Sequence, residues 1–482
     1  MCFDHAAPRE VNRKLLILSL VSEDLRTIGS SYIYAAAKEA GIDVKMLYLN
    51  ETDPLNEVAL REFLDENQFG VIGVGLTTNE FFYTVKLTEA IKRMAPDAFL
   101  FWGGVHPTCE PEECLQHVDC ISMGEGERCV VEIVKNYDNL ERLKTIDGVG
   151  LKLDKDVLVL NQADYIDDID TLPYPYYEFG GNYYILDRKD GHVRVLSTED
   201  YACYSKHGGD GYALITSRSC PNNCSYCINS FYNKLYKNRG AGRFLRRRSV
   251  KNSIEEIKHA IETIPNIHFI NFLDDHFLIG DQWLDEFIDV YGREIRLPFM
   301  IRGTPESITE SRLSRLRAVG LQVVQMGIQS GCADTHREIF HRHFNGDRVV
   351  QAAELLHNMG IEGMYDFIIG NEFESVEAKK ETIRLMMKLP KPFIANLFHI
   401  IPFPKTDIVN WYHEHHVIPK LDPYQTDYLE LGEDFFTMLA ALVPTTENVV
   451  IRKLLDNSDK EECREEVRTR YYELGNQHNE AE

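Results

Sequence analysis

Short apolar runs alternating with helical patterns fill almost the whole chain, and that alternation admits few folds. Leu15–Val21, Asp43–Tyr48, Val71–Leu76, Phe99–Gly104 and Asp119–Ser122 read as buried strands. Helical patterns over Gly29–Ala40, Val58–Leu64, Thr84–Met94 and Glu127–Asn136 separate and follow them. Strands that alternate with helices predict a doubly wound parallel sheet over residues 11–150. Ligands of such sheets bind outside the carboxyl ends of the strands. A second α/β series starts at Tyr212. Its strands are Tyr212–Thr216, His268–Leu273, Pro298–Arg302, Gln322–Ile328, Gly363–Ile369 and Ile394–Ile400. The helices between them are Ser253–Thr263, Trp283–Tyr291, Thr309–Val319, Asp347–Met359 and Val376–Leu389.

The most reactive stretch follows the first strand of that second series. Cys220-Pro-Asn-Asn-Cys224-Ser-Tyr-Cys227 sets three cysteines within eight residues, and the next, Cys332, is far downstream. A cubane iron–sulfur cluster takes four ligands, so three close thiolates leave one iron open to a ligand that is not protein. Pro221, Asn222 and Asn223 are turn formers and let the segment wrap around a cluster. Zinc is the competing reading, but zinc sites use paired Cys-x2-Cys units, and a second unit is missing. A disulfide with a spare thiol suits a short secreted protein, not a chain of 482 residues.

Composition narrows the partners. The length predicts several domains with sizeable cores. A net charge of −24 argues against a nucleic-acid partner held through phosphate neutralisation. The basic run Lys234–Lys251, with Arg243, Arg246, Arg247 and Arg248, reads as a solvated face or as a site for anionic groups of a ligand. Eleven scattered cysteines behind a start without a signal peptide predict a reducing cytoplasm. No apolar run is long enough to span a membrane.

The spacing Cys-x3-Cys-x2-Cys, with an aromatic before the last cysteine, resembles the signature of the radical S-adenosylmethionine (SAM) enzymes. In that family SAM chelates the open iron of a [4Fe-4S] cluster, whose reduction cleaves SAM to a 5′-deoxyadenosyl radical. The resemblance implies that Cys220, Cys224 and Cys227 ligate the cluster and that Tyr226 lies against the adenine. It also implies a partial (β/α)6 TIM-like barrel over 206–405 and a reductant such as flavodoxin or ferredoxin. Further SAM contacts follow from the same resemblance. Asp274 and Asp275 meet the methionine amine, and Arg302 pairs with the SAM carboxylate. Gly327-Ile-Gln-Ser-Gly331 matches the family's Gly-Ile-Glu-Ser-Gly except at Gln329. Gln329 and Ser330 are expected at the ribose or methionine end, and Ile369 near the adenine. Pro402-Phe-Pro-Lys-Thr406 resembles the segment that closes the barrel.

The upstream strand ends extend the resemblance. Thr77-Thr78, Gly103-Gly104-Val105-His106-Pro107-Thr108 and Gly124-Glu125-Gly126-Glu127 follow strands three, four and five. With the cysteine motif behind them, in order, they resemble the cobalamin-binding radical SAM family from about residue 13 to 405. The resemblance implies that Thr77, Thr78, Gly103, Gly104, Val105, His106, Pro107, Gly124, Glu125, Gly126 and Glu127 line a cobalamin site. Many cobalamin domains carry Asp-x-His-x-x-Gly after the first strand, with the histidine on cobalt. Here that loop reads Val21-Ser-Glu-Asp-Leu-Arg-Thr-Ile-Gly29, without histidine, and His106 reads as a hydrogen-bonding loop residue.

Residues 151–205 read as a proline-rich linker with a hairpin over Tyr183–Val195 that turns at Asp190-Gly191. Residues 406–482 read as a small helical region that shapes the substrate pocket, with His413-Glu-His-His416 as a solvated helix end. The resemblance implies radical methylation of an unactivated carbon in a small molecule, lipid or tetrapyrrole. Methylcobalamin would donate the methyl group to a substrate radical. Cyclisation, rearrangement or oxidation without methyl transfer is the rival within the enzyme class. A non-catalytic cobalamin or iron–sulfur binding protein is the rival outside it, and deoxyadenosine formation from SAM separates the two.

Overall fold

The computed structural model describes residues 11–21, 27–50, 54–154, 157–175, 177–186, 191–203, 211–238, 240, 245–425 and 434–479. The chain divides into two compact units, residues 1–213 with 234–269, and residues 214–233 with 270–482.

The first unit is built on a nine-stranded sheet. In chain order its strands are β1 (Leu15–Val21), β2 (Val44–Asn50), β3 (Val71–Gly75), β4 (Phe99–Gly103), β5 (Cys120–Ser122), β6 (Val149–Asp154), β7 (Val157–Leu160), β8 (Tyr183–Leu186) and β9 (Val193–Val195). Their order across the sheet is β7-β6-β5-β4-β3-β1-β2-β8-β9. Every residue of β1 is buried, as expected of a parallel strand covered on both faces. The order reverses between β1 and β3, which creates a crevice at their carboxyl ends. Helices Ile28–Glu39, Glu57–Asn67, Phe81–Met94 and Gly126–Asn136 match the predicted ones within a few residues. Asn56 fixes the start of the second by accepting from Ala59 N–H at 3.1 Å.

Residues 151–205 correct the linker expectation. β6 and β7 pair antiparallel on one edge of the sheet, while β8 pairs parallel with β2 and antiparallel with β9 on the other. The predicted hairpin over Tyr183–Val195 is therefore present as β8 and β9, with Tyr184 opposite Val195, and its turn residue Asp190 lies outside the described residues. A second correction concerns Ser253–Thr263, which belongs to the first unit as helix Val250–Thr263. Its Glu256 is buried and accepts from Tyr32 Oη at 3.1 Å and Tyr212 Oη at 2.8 Å.

The second α/β series forms a six-stranded sheet of β10 (Gly211–Leu214), β11 (Phe269–Phe272), β12 (Phe299–Gly303), β13 (Leu321–Gln329), β14 (Glu362–Ile368) and β15 (Ile394–Phe398). The strands follow one another in sequence order, and the pairings from β11 to β15 are parallel. That is the winding of a partial (β/α) barrel. On the helix-facing side Phe272 and Phe299 pack edge-on against Phe287 and Tyr291 of helix Asp281–Glu294. Alternation along the strands turns Asn271, Met300 and Arg302 to the opposite, inner face. Helices Phe435–Leu442, Asn448–Asp456 and Glu461–Asn479 form the helical end of the chain. His413, His415 and His416 are exposed at the end of helix Asp407–Glu414, where His415 stacks on Trp411. No helix among the described residues is long and apolar enough to cross a membrane.

Candidate active site

The three-cysteine loop lies just beyond the carboxyl end of β10, and other parts of its unit hold it in place. Ser225 N–H donates to Phe340 O at 3.1 Å, and Ile408 N–H donates to Ser225 O at 2.8 Å. Asn233 Nδ2 holds Cys220 O at 3.3 Å, and Cys227 N–H closes a turn on Cys224 O at 3.0 Å. Cys224 is buried, Cys220 and Cys227 are half-buried, and all three are free thiols. Burial pushes the Cys220 and Cys227 thiols up to about 11. Among the described residues no three His, Cys, Asp or Glu side chains converge on a point that would hold one metal ion. A cubane asks for something else, one thiolate at each of three separate iron corners. Three free thiols on one wrapped loop are a donor set that fits such a cluster and fits a single zinc poorly.

Around this loop the structure sorts the expected SAM contacts. Tyr226 sits on the apolar cluster of Phe340, Ile368, Ile400, Ile408 and Tyr412, with its ring edge-on to Phe340 at 5.1 Å. Its hydroxyl accepts from Arg342 Nη1 at 2.9 Å, while Arg342 Nη2 donates to Gly327 O at 3.0 Å. Arg342 was not foreseen in the sequence. It places a cation beside Tyr226 and Cys224, and both raise its own proton affinity against the cost of burial.

Asp274 and Asp275 part company. Asp274 is fully buried and accepts from Thr216 N–H at 3.0 Å, Thr216 Oγ1 at 2.7 Å and Ser217 Oγ. Its oxygens serve the strand end, which corrects the expectation that it meets a ligand. Asp275 instead shares Asn229 Nδ2 at 2.9 Å, and that same amide approaches Cys227 Sγ at 3.7 Å. Burial raises the Asp275 carboxyl above its usual range.

Arg302 points inward and donates through Nε to Gln325 Oε1 at 2.9 Å and through Nη1 to Leu273 O at 3.3 Å. Gln329 takes a left-handed conformation, φ 72°, where the register of β13 on β14 slips. Ser330 Oγ donates to the buried Glu374 at 3.0 Å, so this hydroxyl is committed to the scaffold. Ile369 is fully buried and donates its N–H to Phe398 O at 2.9 Å. Glu374 was missed in the sequence. It gathers Ser330, Thr335 and Asn371, and the adjacent Ser375 caps helix Val376–Met386.

In the first unit the loops after β3, β4 and β5 meet at the crevice side of the sheet. Thr77, Gly103, Gly104, Val105, Gly124, Glu125 and Gly126 keep some surface open, whereas Thr78, His106, Pro107 and Glu127 are buried. His106 accepts or donates through Nδ1 with Thr78 Oγ1 at 3.2 Å, and its Nε2 faces Glu113 at 3.4 Å. Burial lowers its pKa despite the glutamate. Gly104, φ 102°, has Leu76 O only 2.7 Å from where a Cβ would sit. That glycine is required by the protein's own backbone, not by approach to a ligand.

Glu125 is tied to its own unit, because Oε2 accepts from Arg246 Nη1 at 2.8 Å and from Ile166 N–H at 2.7 Å. The basic run is corrected in part: Lys234, Lys237 and Lys251 are exposed as a solvated face would be, and Arg243 lies outside the described residues. Arg246 and Arg248 are almost fully buried and paired with Glu125 and Glu256.

Comparison with known proteins agrees with both units. A family model for the B12 binding domain matches residues 15–134, and one for the radical SAM superfamily matches residues 214–386. An uncharacterized methyltransferase of Pyrococcus horikoshii is 23% identical over 385 residues, covering 79% of this chain and 76% of the relative. The anaerobic magnesium-protoporphyrin IX monomethyl ester cyclase of Cereibacter sphaeroides is 22% identical over 400 residues. That match covers 78% of this chain but only 59% of the cyclase. Among solved structures, the radical SAM methyltransferase TsrM of Kitasatospora setae, with cobalamin and a [4Fe-4S] cluster bound, superposes with a TM-score of 0.64 at 16% identity. The overlap takes in 83% of this chain and 75% of TsrM, and it speaks to the fold. With a B12 binding domain followed by a radical SAM domain, this chain belongs to the cobalamin-binding radical SAM enzymes.

Proposed function

We propose that this enzyme methylates an unactivated carbon of a small molecule by radical chemistry. The observation that carries the reading is the loop of three free thiols at a barrel strand's carboxyl end, in a chain that also builds an open crevice on a B12-type sheet. In this reading Cys220, Cys224 and Cys227 hold the [4Fe-4S] cluster. The open loops at Thr77, Gly103–Val105 and Gly124–Gly126 hold cobalamin. When bound, the cluster with SAM supplies a 5′-deoxyadenosyl radical and cobalamin supplies a transferable methyl group.

Protein side chains orient these groups. Arg342 takes the SAM carboxylate, a role that the sequence suggested for Arg302. Its hydrogen bonds go to a phenol and a carbonyl, so a carboxylate adds the charge-assisted partner that a buried guanidinium favours. Asp275 faces the ammonium, and the apolar wall of Tyr226 and Ile369 receives the adenine. Electrons come from a donor of the flavodoxin or ferredoxin kind.

Cobalamin is expected to bind with no protein nitrogen on cobalt. The loop after β1 has no histidine, and His106 is fully buried between Thr78 and Glu113. Electron paramagnetic resonance of the reduced, cobalamin-loaded protein should show no nitrogen splitting that depends on His106, so His106→Ala should match wild type. A splitting that disappears in His106→Ala overturns this assignment.

Methyl transfer itself is tested with SAM labelled at its methyl group. The expected outcome is roughly one S-adenosylhomocysteine and one 5′-deoxyadenosine per product, with the label in that product. Cyclisation without methyl transfer is the second reading, favoured by the match to the cyclase of Cereibacter sphaeroides. Unlabelled product formed with deoxyadenosine but no S-adenosylhomocysteine would select it.

A further inference from the structure

The inner face of the barrel carries a polar row that the SAM assignments above do not use. Arg302 on β12 donates to Gln325 on β13, and Gln325 Nε2 lies 3.0 Å from both oxygens of Asp366 on β14. Asn396 on β15 donates to Asp366 Oδ1 at 2.8 Å. Four neighbouring strands thus give one hydrogen-bonded line, all of it half-buried, below the strand ends that carry Gln329 and Ile369. On β11 the inner residue is Asn271, whose Oδ1 is buried and has no hydrogen-bond partner among the described residues. Arg302 Nη2 likewise makes no hydrogen bond among them. Burial raises the Asp366 carboxyl, while Asn396, Gln325 and Arg302 pull it back.

We infer that this row reads the substrate, and that the substrate presents an oxygen acceptor next to an N–H or O–H donor, as a carboxamide, amino acid or hydroxy acid does. The inference rests on the proposed radical SAM reaction and adds the class of molecule that enters the barrel. Arg302 Nη2 is the donor for the substrate oxygen, and Asn271 Oδ1 with Asp366 Oδ2 accepts from the substrate N–H or O–H. An alkyl chain in the same place would cover a guanidinium N–H and an amide oxygen and give neither a partner, a cost that selects against it. The row therefore discriminates against simple lipids. It also explains why Arg302 stands in an otherwise apolar strand with no salt bridge among the described residues.

The test uses 5′-deoxyadenosine formation by reconstituted enzyme with dithionite and SAM, with and without cell extract. The extract is first split into an aqueous-methanol and a chloroform fraction. The aqueous-methanol fraction should stimulate deoxyadenosine formation over the substrate-free rate, and the chloroform fraction should not. In Asp366→Asn and in Asn271→Leu the ratio of stimulated to substrate-free rate should fall about tenfold or more. Asn271→Leu removes a buried unpartnered oxygen, so a folding defect is not expected to mimic that loss. Stimulation by the chloroform fraction, or by neither fraction, overturns the inference. So does wild-type stimulation in both variants. Wild-type enzyme that forms no deoxyadenosine under any condition would instead overturn the underlying radical SAM reading.

Discussion

Cys220→Ala, Cys224→Ala and Cys227→Ala should each lose the cluster and bring SAM cleavage down to background. Iron in anaerobically reconstituted protein should fall from about four per chain to near none in the triple variant. The expectation is severe because each thiolate serves one corner of a cubane that already lacks a fourth protein ligand. The next cysteine in sequence, Cys332, is half-buried and follows Ser330, whose hydroxyl accepts its N–H at 3.1 Å. Cys332→Ala should therefore keep both iron and cleavage, which separates loss of a ligand from a general thiol effect. Burial keeps Cys220 and Cys227 protonated in the free protein at neutral pH, so cluster assembly must release their protons. Unchanged iron content and cleavage rate in the triple variant would remove the basis of the proposed function.

What the sequence revealed follows what local pattern can encode. Strands β1 to β5 stood out because both their faces are covered, which makes them near-continuous apolar runs. Those of the second sheet showed through their buried alternate residues, with half-buried residues between them. β7 gave no such signal. Three of its four residues are exposed, and only backbone pairing with β6 holds it in the sheet. The cysteine loop was legible because a cluster demands ligands close in sequence. Partners far apart in sequence were not. Arg246 and Glu125 lie 121 positions apart, and Asp274 and Thr216 lie 58 apart. In each case a charged loop residue that looked ready for a ligand is satisfied by a distant part of the fold. Arg342 has the opposite history. Nothing in its neighbourhood, His341-Arg342-His343, announces a buried cation beside Tyr226. Glu374 and Ser375 were hidden by the unusual Asn371-Glu372-Phe373 before them, although their cap and hydrogen bonds are regular.

Glu256→Gln is expected to destabilise the first unit by about 3–5 kcal/mol, because it leaves the buried Arg248 without its charge partner. The side chains of Arg248 and Glu256 are 3% and 1% exposed. Around them Tyr32 and Tyr212 donate to the carboxylate, and Arg248 also donates to Tyr32 Oη at 2.7 Å and Asn252 Oδ1 at 2.6 Å. This closed ring ties helix Ile28–Glu39, β10 and helix Val250–Thr263 together within the unit that carries the proposed cobalamin loops. An ion pair so thoroughly withdrawn from water gains little over an apolar pair, since desolvation consumes most of the Coulomb term. Breaking it from one side is the costly event. The double variant Arg248→Met/Glu256→Leu should therefore be less destabilised than the sum of Arg248→Met and Glu256→Leu. Its two tyrosine hydroxyls lose an acceptor, at about 1–3 kcal/mol each where they stay buried. Urea unfolding of Arg248→Met, Glu256→Leu and the double variant gives the coupling energy directly. Additive losses, or a Glu256→Gln midpoint close to wild type, would mean that water reaches the ring and that the pair is not the anchor of these three elements.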